Sequence, residues 1–327
     1  MSQNNNSANT FIGLEGVLMK ANRWFTTKLA RTDVNGEFRM SSGFNRPCNY
    51  SLEFSLGVYP LGGFAVTEHW WGNQASINGP KLAGDWTLDI FNGYDRFCSH
   101  IFRGAFRYHN KQIGGLMRPF RPSGNLSLIQ AKDAAKNWQG INWTLFPVIR
   151  IARFNGINNT EWQSDEIFST TCHELAHTSH VITMNAGIIQ FGQVSNPIVE
   201  SWPAAIEWYL TGLEYKSRGI LNYGESTFNP TTPPGFPNQF GYQNWTKTMN
   251  NISADYTNLF INLVDNFNDG TGFSGSPNDQ VTGYTLANIE SGFLKHVYGL
   301  SSLSTILKAN KPVGVTDAQI DLLLSSY

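Results

Sequence analysis

Residues Thr170–His180 have the sequence TTCHELAHTSH, which contains a His-Glu-x-x-His motif. Residues four positions apart lie on one face of an α-helix, so the side chains of His173 and His177 can bind the same metal ion. Glu174 then lies beside the ion, where its carboxylate can take a proton from a bound water molecule. The motif therefore predicts a helix that carries a Zn²⁺ site, with Glu174 as general base.

The surrounding residues favour a helix because they divide into two stripes at helical spacing. The apolar stripe consists of Ile167, Phe168, Cys172, Leu175 and Ala176. The polar stripe consists of Glu166, Thr170, His173, His177 and His180. We expect the first stripe to face a core and the second to face a cleft. A helix whose histidines only form hydrogen bonds is the alternative, and a third metal ligand decides between the two.

The third ligand has to come from another part of the chain. Metzincins carry a third His ten residues after the first, and that position here is Thr183, which excludes this class. His180 lies on the correct face, but three consecutive ligands on one straight helix cannot surround a tetrahedral ion. We expect His180 to support the site or to line the cleft. Glu200, at the start of the next predicted helix, is well placed to complete the site.

The segment of residues 140–215 resembles the gluzincin peptidases, the thermolysin-like and aminopeptidase-like group. The resemblance rests on the HELAH motif of residues 173–177, followed by Glu200-Ser201-Trp202. It implies that His173, His177 and Glu200 are the ligands of Zn²⁺. It also implies that Glu174 is the general base of a peptidase.

The chain departs from the thermolysin-like pattern at one position. Members of that branch have an acidic residue four positions after the ligand Glu, whereas this chain has Ala204. Glu207 lies two turns after Glu200 on the same helix face. Two alternatives follow, in which Glu207 either supports the ligands or replaces Glu200.

These residues predict a zinc metallopeptidase that hydrolyses a peptide or protein substrate, glycoproteins included. Zinc lowers the pKa of bound water from about 15.7 to about 7, and Glu174 removes the proton. The same carboxyl group then delivers that proton to the leaving amine. A donor to the oxyanion is also needed. Tyr284, His296 and Tyr298 are candidates, although a structural role is favoured for each of them.

The N-terminal part of the chain has the pattern of short strands. Residues 11–59 alternate polar and apolar side chains between turn signals, and Asp33–Gly36 favours a hairpin turn because Asn and Gly tolerate positive φ. With Thr32–Phe38 joining two strands, this part resembles the transthyretin-like or carboxypeptidase-regulatory β-sandwiches. The resemblance implies a small all-β sandwich over residues 11–75, which serves as a spacer or binding platform.

Residues 76–327 are predicted to form one catalytic domain of the α+β class. A strand is expected over Trp143–Phe154, and the helix with Glu200 is expected over Ile198–Tyr215, with Pro203 in its first turn. Residues 229–245 are expected to form a long loop. Further helices are predicted over Tyr256–Phe267, Leu286–Tyr298, Ser301–Ala309 and Ala318–Ser325. The gluzincin resemblance implies a zincin-like domain with a helical C-terminal subdomain.

Composition excludes several functions. The 327 residues carry a formal charge of −1, so nothing indicates nucleic-acid binding or a polybasic membrane surface. No apolar run is long enough to span a membrane. The three cysteines are an odd number, which implies no disulfide framework, and Cys172 is expected to be a small buried apolar residue.

Location and assembly are predicted from weaker features. Only 14% of the residues are charged while 13% are aromatic, and residues 1–10 are a polar stretch expected to form a flexible tether. We expect an exported monomer, either extracellular, at the cell surface or periplasmic. A lipoprotein signal preceding this chain would account for the tether.

A non-catalytic binding module is the alternative function. In this interpretation a degenerate zincin fold binds glycans or protein, and the many Trp and Tyr residues supply faces for docking. An inactive descendant has no need to retain the base of the motif, yet Glu174 is present. The sequence therefore favours the enzyme.

Overall fold

The computed structural model shows mixed α and β structure, which confirms the α+β class. It describes residues 11–57, 63–69, 72–110, 113–119, 126–136, 140–142, 148–184, 187–216, 255–265, 268 and 278–327. The predicted tether at residues 1–10 and the predicted loop at residues 229–245 lie outside this set. The chain divides into two compact units: Met1–Lys111 with Phe120–Thr171, and Gln112–Pro119 with Cys172–Tyr327.

The first unit contains the strands of the described residues, which form two sheets. The strands are β1 (Leu18–Arg23), β2 (Thr26–Arg31), β3 (Cys48–Glu53), β4 (Ser55–Leu56), β5 (Gly63–Thr67), β6 (Ser76–Leu82), β7 (Leu126–Lys136), β8 (Gly140–Asn142) and β9 (Val148–Asn155). An antiparallel four-stranded sheet has the order β2-β1-β3-β6. A mixed five-stranded sheet has the order β4-β5-β7-β9-β8, with β5, β7 and β9 parallel.

Residues 11–75 contribute strands to both sheets. Strands β1 to β3 belong to the four-stranded sheet, whereas β4 and β5 belong to the five-stranded sheet. Strand β6 begins directly after residue 75 and pairs with β3. The four-stranded sheet is therefore completed by residues beyond the stretch assigned to the N-terminal sandwich.

The predicted hairpin turn at Asp33–Gly36 forms, but the predicted strand after it does not. The N–H of Gly36 donates to the Asp33 carbonyl at 2.9 Å, and the φ of Gly36 is 80°. The Asp33 carboxylate accepts from the backbone N–H groups of Asn35 and Glu37, each at 2.9 Å. These side-chain bonds use backbone donors that a strand would need, so residues 37–40 are not a strand.

The five-stranded sheet is buried as a parallel sheet should be. All five residues of β5 are buried, and Ile149 and Ile151 of β9 are at most 3% exposed. Strand β9 confirms the predicted strand from Val148 onward, while residues 143–147 lie outside the described set. Helix α1 (Gly93–Asn110) packs on this sheet, where the Phe102 ring lies 5.3 Å from that of Phe64.

The later helices supply most of the second unit. They are α2 (Ser164–Thr183), α3 (Gly187–Phe191), α4 (Asn196–Lys216), α5 (Leu259–Asn262), α6 (Leu286–Asn288), α7 (Leu300–Ala309) and α8 (Asp317–Leu324). Helix α6 continues as a π turn over Ile289–Phe293 and a 3₁₀ turn over Leu294–His296. The unit boundary falls within α2, between Thr171 and Cys172. The two most C-terminal predicted helices are confirmed by α7 and α8.

Helix α4 corrects one expectation. It begins at Asn196, so Pro203 lies in its interior and not in its first turn. Proline there removes one backbone hydrogen bond of the helix. The flanking Trp202 and Ala204 are fully buried, so apolar packing rather than backbone bonding stabilises this part of α4.

The prediction that Cys172 is a small buried residue is confirmed by its burial. The thiols of Cys48, Cys98 and Cys172 are all buried and form no disulfide, and Cys172 is 0% exposed. Among the described residues, no helix is long and apolar enough to cross a membrane.

Candidate metal centre

Helices α2 and α4 bring together the three residues predicted as ligands. The Nε2 atoms of His173 and His177 each lie 3.4 Å from Oε2 of Glu200. In a tetrahedral zinc site with bonds of about 2.0–2.1 Å, neighbouring ligand atoms are roughly 3.3–3.4 Å apart. The two distances to Glu200 match this value, and all three ligand atoms lie within 4.8 Å of one another, close enough to share one ion.

Helix geometry explains why these side chains meet. The four-residue spacing places His173 and His177 on one face of α2, with ring centroids 4.9 Å apart. Glu200 lies in the first turns of α4 and retains 23% side-chain exposure, whereas both imidazoles are about a tenth exposed or less. The cluster is thus buried on its histidine side and reaches solvent at the glutamate.

The Glu200 oxygen between the two imidazoles is a buried acceptor without a hydrogen bond. Within the described part of the chain, Oε2 of Glu200 has no partner of hydrogen-bond geometry. Burial raises the pKa of this carboxyl group, but the imidazoles of His173 and His177 outweigh burial and hold it well below its usual range. An ionised oxygen in this position is the kind of acceptor that a bound cation would satisfy.

Glu207 lies at Nδ1 of His173, on the other side of the ring from Glu200. Its Oε2 lies 3.3 Å from Nδ1 of His173, while Nε2 faces Glu200. Burial lowers the pKa of His173, but the charge of Glu207 and the close carboxylates on both ring nitrogens raise it well above 6.5. A carboxylate on the second ring nitrogen orients a ligand His and makes it more basic. This arrangement favours the supporting role for Glu207 over the ligand role.

Glu174 lies against the cluster with one oxygen unused. The residue is 5% exposed, and its Oε2 has no hydrogen-bond partner among the described residues. Burial raises the pKa of Glu174 above its usual value, although His177 and His173 oppose that shift. A buried carboxyl group with a raised pKa and an unsatisfied oxygen is suited to exchanging protons with a ligand.

Tyr256 belongs to the site, although the sequence analysis did not single it out. Its ring stacks on that of His173 with centroids 5.8 Å apart, and its hydroxyl forms a hydrogen bond with Glu200. Burial and the nearby carboxylates raise the pKa of Tyr256, so the phenol stays protonated. No motif surrounds Tyr256 in the sequence, and only its position in the fold reveals it.

The three oxyanion candidates from the sequence lie elsewhere. The Tyr284 hydroxyl donates to the Leu307 carbonyl at 2.8 Å, while His296 and Tyr298 are exposed. None of the three is among the residues that contact the ligand cluster in the described part of the chain. The structural role favoured for Tyr284 is confirmed by its bond to Leu307.

His180 is buried one turn past the second ligand and is not part of the ligand group. Its ring meets that of Phe191 edge to face at 5.1 Å, and neither nitrogen has a hydrogen-bond partner among the described residues. Burial, followed by the neighbouring His177, lowers its pKa to about 3. A neutral His180 therefore supports α2 by apolar packing.

A second carboxylate anchors the C-terminal half of α2. Glu290, in the π turn after α6, accepts from the Ser179 hydroxyl and from the Met117 N–H. Burial raises the pKa of Glu290, with both donors opposing the shift. Ser179 lies two residues after His177, so this contact stabilises the helix turn next to the ligand. The sequence analysis missed Glu290 because it lies far from the motif.

Comparison of the chain with protein-family models, with curated proteins and with solved structures gave no match.

Proposed function

We propose that the protein is a zinc-dependent metallopeptidase of the gluzincin type, with a zincin-like catalytic domain. His173, His177 and Glu200 hold the ion, and Glu174 is the general base. The observation that carries the proposal is the Glu200 oxygen placed 3.4 Å from both imidazole Nε2 atoms. Three protein ligands leave a fourth position open, as a catalytic site requires.

The residues around the ligands supply the remaining steps of peptide hydrolysis. A bound zinc ion lowers the pKa of a water molecule and polarises the substrate carbonyl. Glu174 takes a proton from the attacking water and passes it to the amine that leaves. Glu207 holds the ring of His173 in place through Nδ1.

Tyr256 is the donor that we assign to the developing oxyanion. Its protonated hydroxyl bonds to Glu200 and lies at the ligand cluster rather than in a separate core. A donor so placed can turn to the substrate oxygen as negative charge builds up.

Peptides and proteins, glycoproteins included, are the proposed substrates, and export to the cell surface or periplasm remains the proposed location.

Metal analysis combined with an activity assay tests the proposal. Wild type is expected to hold about one zinc per chain and to cleave a casein-like protein, with cleavage abolished by a chelator. Glu174→Gln should keep the metal and lose at least about 10²-fold in activity, because only proton transfer is removed. Glu200→Ala should lose the metal.

Matched control variants distinguish the loss of the metal site from nonspecific effects of a substitution. Glu37→Gln and His296→Ala change an exposed carboxylate and an exposed imidazole outside the cluster, and both should behave as wild type. If Glu207→Ala loses zinc while Glu200→Ala keeps it, the assignment of the third ligand is wrong. A wild-type protein that takes up no zinc would overturn the proposal.

The binding module remains a second candidate because of one feature of the first unit. A cavity of about 900 Å³ lies beside the four-stranded sheet, and its lining includes the aromatic residues Phe38, Tyr50 and Trp86. The Tyr50 ring lies 5.7 Å from Trp86 and 6.3 Å from Phe38. Glycan or protein binding that persists after zinc removal, without any cleavage, would favour this candidate over the peptidase.

A further inference from the structure

The hairpin of β1 and β2 ends in two exposed aromatic residues. Arg23 pairs with Thr26, so Trp24 and Phe25 form a two-residue loop at the tip. Trp24 is 85% exposed and Phe25 is 105% exposed. Large aromatic side chains are usually at least partly covered, so two neighbouring ones in full contact with water mark an interaction site.

The backbone at this tip is unfavourable for the residue that occupies it. Trp24 has a φ of 54°, in the left-handed region that bulky residues seldom adopt. A positive φ at the first position of a two-residue loop is the type II′ pattern, in which Gly is usual. Tryptophan therefore makes the turn conformation less stable than glycine would, which indicates that the exposed indole side chain serves a function.

Positive charge surrounds the same end of the sheet. The hairpin Leu18–Arg31 contains no acidic residue, although the whole chain carries a formal charge of −1. Arg23 adjoins the tip, and Lys28 pairs with Ala21 two rows from it, where its ammonium group donates to Ser42 and Gly43. Asn22 pairs with Asn49 and Asn49 with Lys81, so Lys81 lies in the row next to the tip. Arg46 precedes β3 at this end, and Asp85 follows β6.

The acidic residues near β1 and β2 lie toward the opposite end of the sheet. Glu53 pairs with Leu18 at the start of β1 and forms an ion pair with Lys20. Asp33 and Glu37 follow the end of β2. Lys20 and Arg31 lie toward that end as well and balance part of its negative charge, so the excess of positive charge is at the aromatic tip.

We propose that this hairpin tip docks on an anionic lipid bilayer. Trp and Phe would insert at the level of the headgroups, and the cations would meet the negative surface. Arg23 stacks over the Trp24 ring at 4.7 Å, which places its charge at the base of the aromatic pair. Lysine is depleted in protein–protein interfaces, so Lys81 in the row next to the tip favours a bilayer over a protein partner.

Sedimentation with lipid vesicles tests this inference, which does not depend on catalysis. Wild type should bind vesicles that contain phosphatidylglycerol more tightly than vesicles of phosphatidylcholine alone. The variant Trp24→Gly/Phe25→Ser suits a type II′ turn and should fold with an equal or higher melting temperature. It should nevertheless bind the anionic vesicles at least about tenfold more weakly.

Two further variants test how much the positive charges contribute to vesicle binding and whether binding is specific to the hairpin tip. Arg23→Gln/Arg46→Gln should weaken binding by about fivefold per cation and reduce its dependence on salt. Ile157→Ser/Val313→Ser removes two apolar residues that are 86% and 106% exposed elsewhere, and it should bind as wild type.

Three outcomes overturn the inference. The wild type could show no preference for anionic vesicles, or the tip variant could bind them as tightly as wild type. Alternatively, the tip variant could abolish self-association of the protein while vesicles are not bound, and the tip would then be a protein contact.

Discussion

At the scale of the residue, the two glutamates of α4 differ in which imidazole nitrogen they meet. Glu200 faces the Nε2 atoms of both histidines, whereas Glu207 faces only Nδ1 of His173. A single ion can lie between Glu200 and both imidazoles, but it cannot reach Glu207 through the ring of His173. The assignment of Glu200 as ligand and Glu207 as supporting residue follows from this arrangement.

We expect Glu207→Gln to weaken zinc binding without abolishing it. Loss of a carboxylate behind a ligand His typically costs about 10–100-fold in metal affinity. Zinc titration against a competing chelator measures the effect, with Glu200→Ala expected to lose far more affinity. Equal losses in the two variants would contradict the distinction between them.

Tyr256→Phe should separate transition-state stabilisation from metal binding. The substitution removes the hydroxyl but keeps the ring that stacks on His173. Removal of one oxyanion donor typically costs about 10²–10³-fold in kcat, and zinc content should not change. Tyr298→Phe, at an exposed tyrosine, is the control. A variant with unaltered kcat would rule out Tyr256 as donor.

The pKa of His173 predicts opposite pH trends for metal-free stability and zinc affinity. Its folded-state pKa is raised well above 6.5, so its contribution to stability is full below 6.5 and is lost as pH rises through the folded value. Zinc affinity should rise over the same window, because fewer protons compete for the imidazole. Urea unfolding with chelator and zinc titrations at matched pH values measure both. Metal-free stability that increases across this window would contradict the assignment.

At the scale of the element, α2 depends on a contact far from the motif in sequence. Glu290 accepts from Ser179 on α2 and from the Met117 backbone, and all three groups lie in the second unit. The acceptor projects from a π turn, a rare element that often occurs at functional sites. The geometry of the ligand helix is thus stabilised by a buried carboxylate that coordinates nothing.

Glu290→Ala is expected to destabilise the protein, since it leaves two donors without their acceptor. The free energy of unfolding should fall by about 1–3 kcal/mol, and Ser179→Ala should cost about 1 kcal/mol. Denaturant unfolding measures both, with Glu37→Ala at an exposed site as control. A change in Glu290→Ala no larger than that of the control would show that the contact contributes little.

At the scale of the whole molecule, metal binding should be linked to folding of the second unit. The ligands come from α2 and α4, which lie apart in sequence, and the unfolded chain does not hold them together. A ligand at 1,000 times its dissociation constant stabilises the folded state by about 4 kcal/mol. A zinc ion bound by His173, His177 and Glu200 would therefore crosslink the two helices.

Excess zinc should raise the melting temperature of wild type by several degrees over the chelated protein. Glu200→Ala should show a much smaller shift, and His296→Ala should match wild type. Differential scanning calorimetry with and without chelator measures the shift. Equal shifts in wild type and Glu200→Ala would place the bound zinc elsewhere.

Several helices and the shared face of the two histidines were accessible from sequence because both depend on local spacing. The helix predicted over Tyr256–Phe267 was wrong in extent, since the described residues there are helical only over Leu259–Asn262. The period of apolar residues predicted α2, α7 and α8, and the four-residue spacing predicted that His173 and His177 share a face. The pairing of β5 with β7 and of β7 with β9 was not accessible. Parallel strands pair across long connections, and no local pattern encodes which strands become neighbours.

The sequence by itself determined which functional groups are available for the site. These are two imidazoles and a carboxylate at fixed spacing on one helix, with further glutamates downstream. Only the tertiary structure decided which glutamate meets which nitrogen, because that depends on how α4 packs against α2. It also brought Tyr256 to His173, anchored Ser179 with Glu290, and gathered cations around the exposed Trp24. The contacts of Tyr256 with His173 and of Glu290 with Ser179 join residues that are distant in sequence, and their distances are set by packing, which a one-dimensional pattern does not contain.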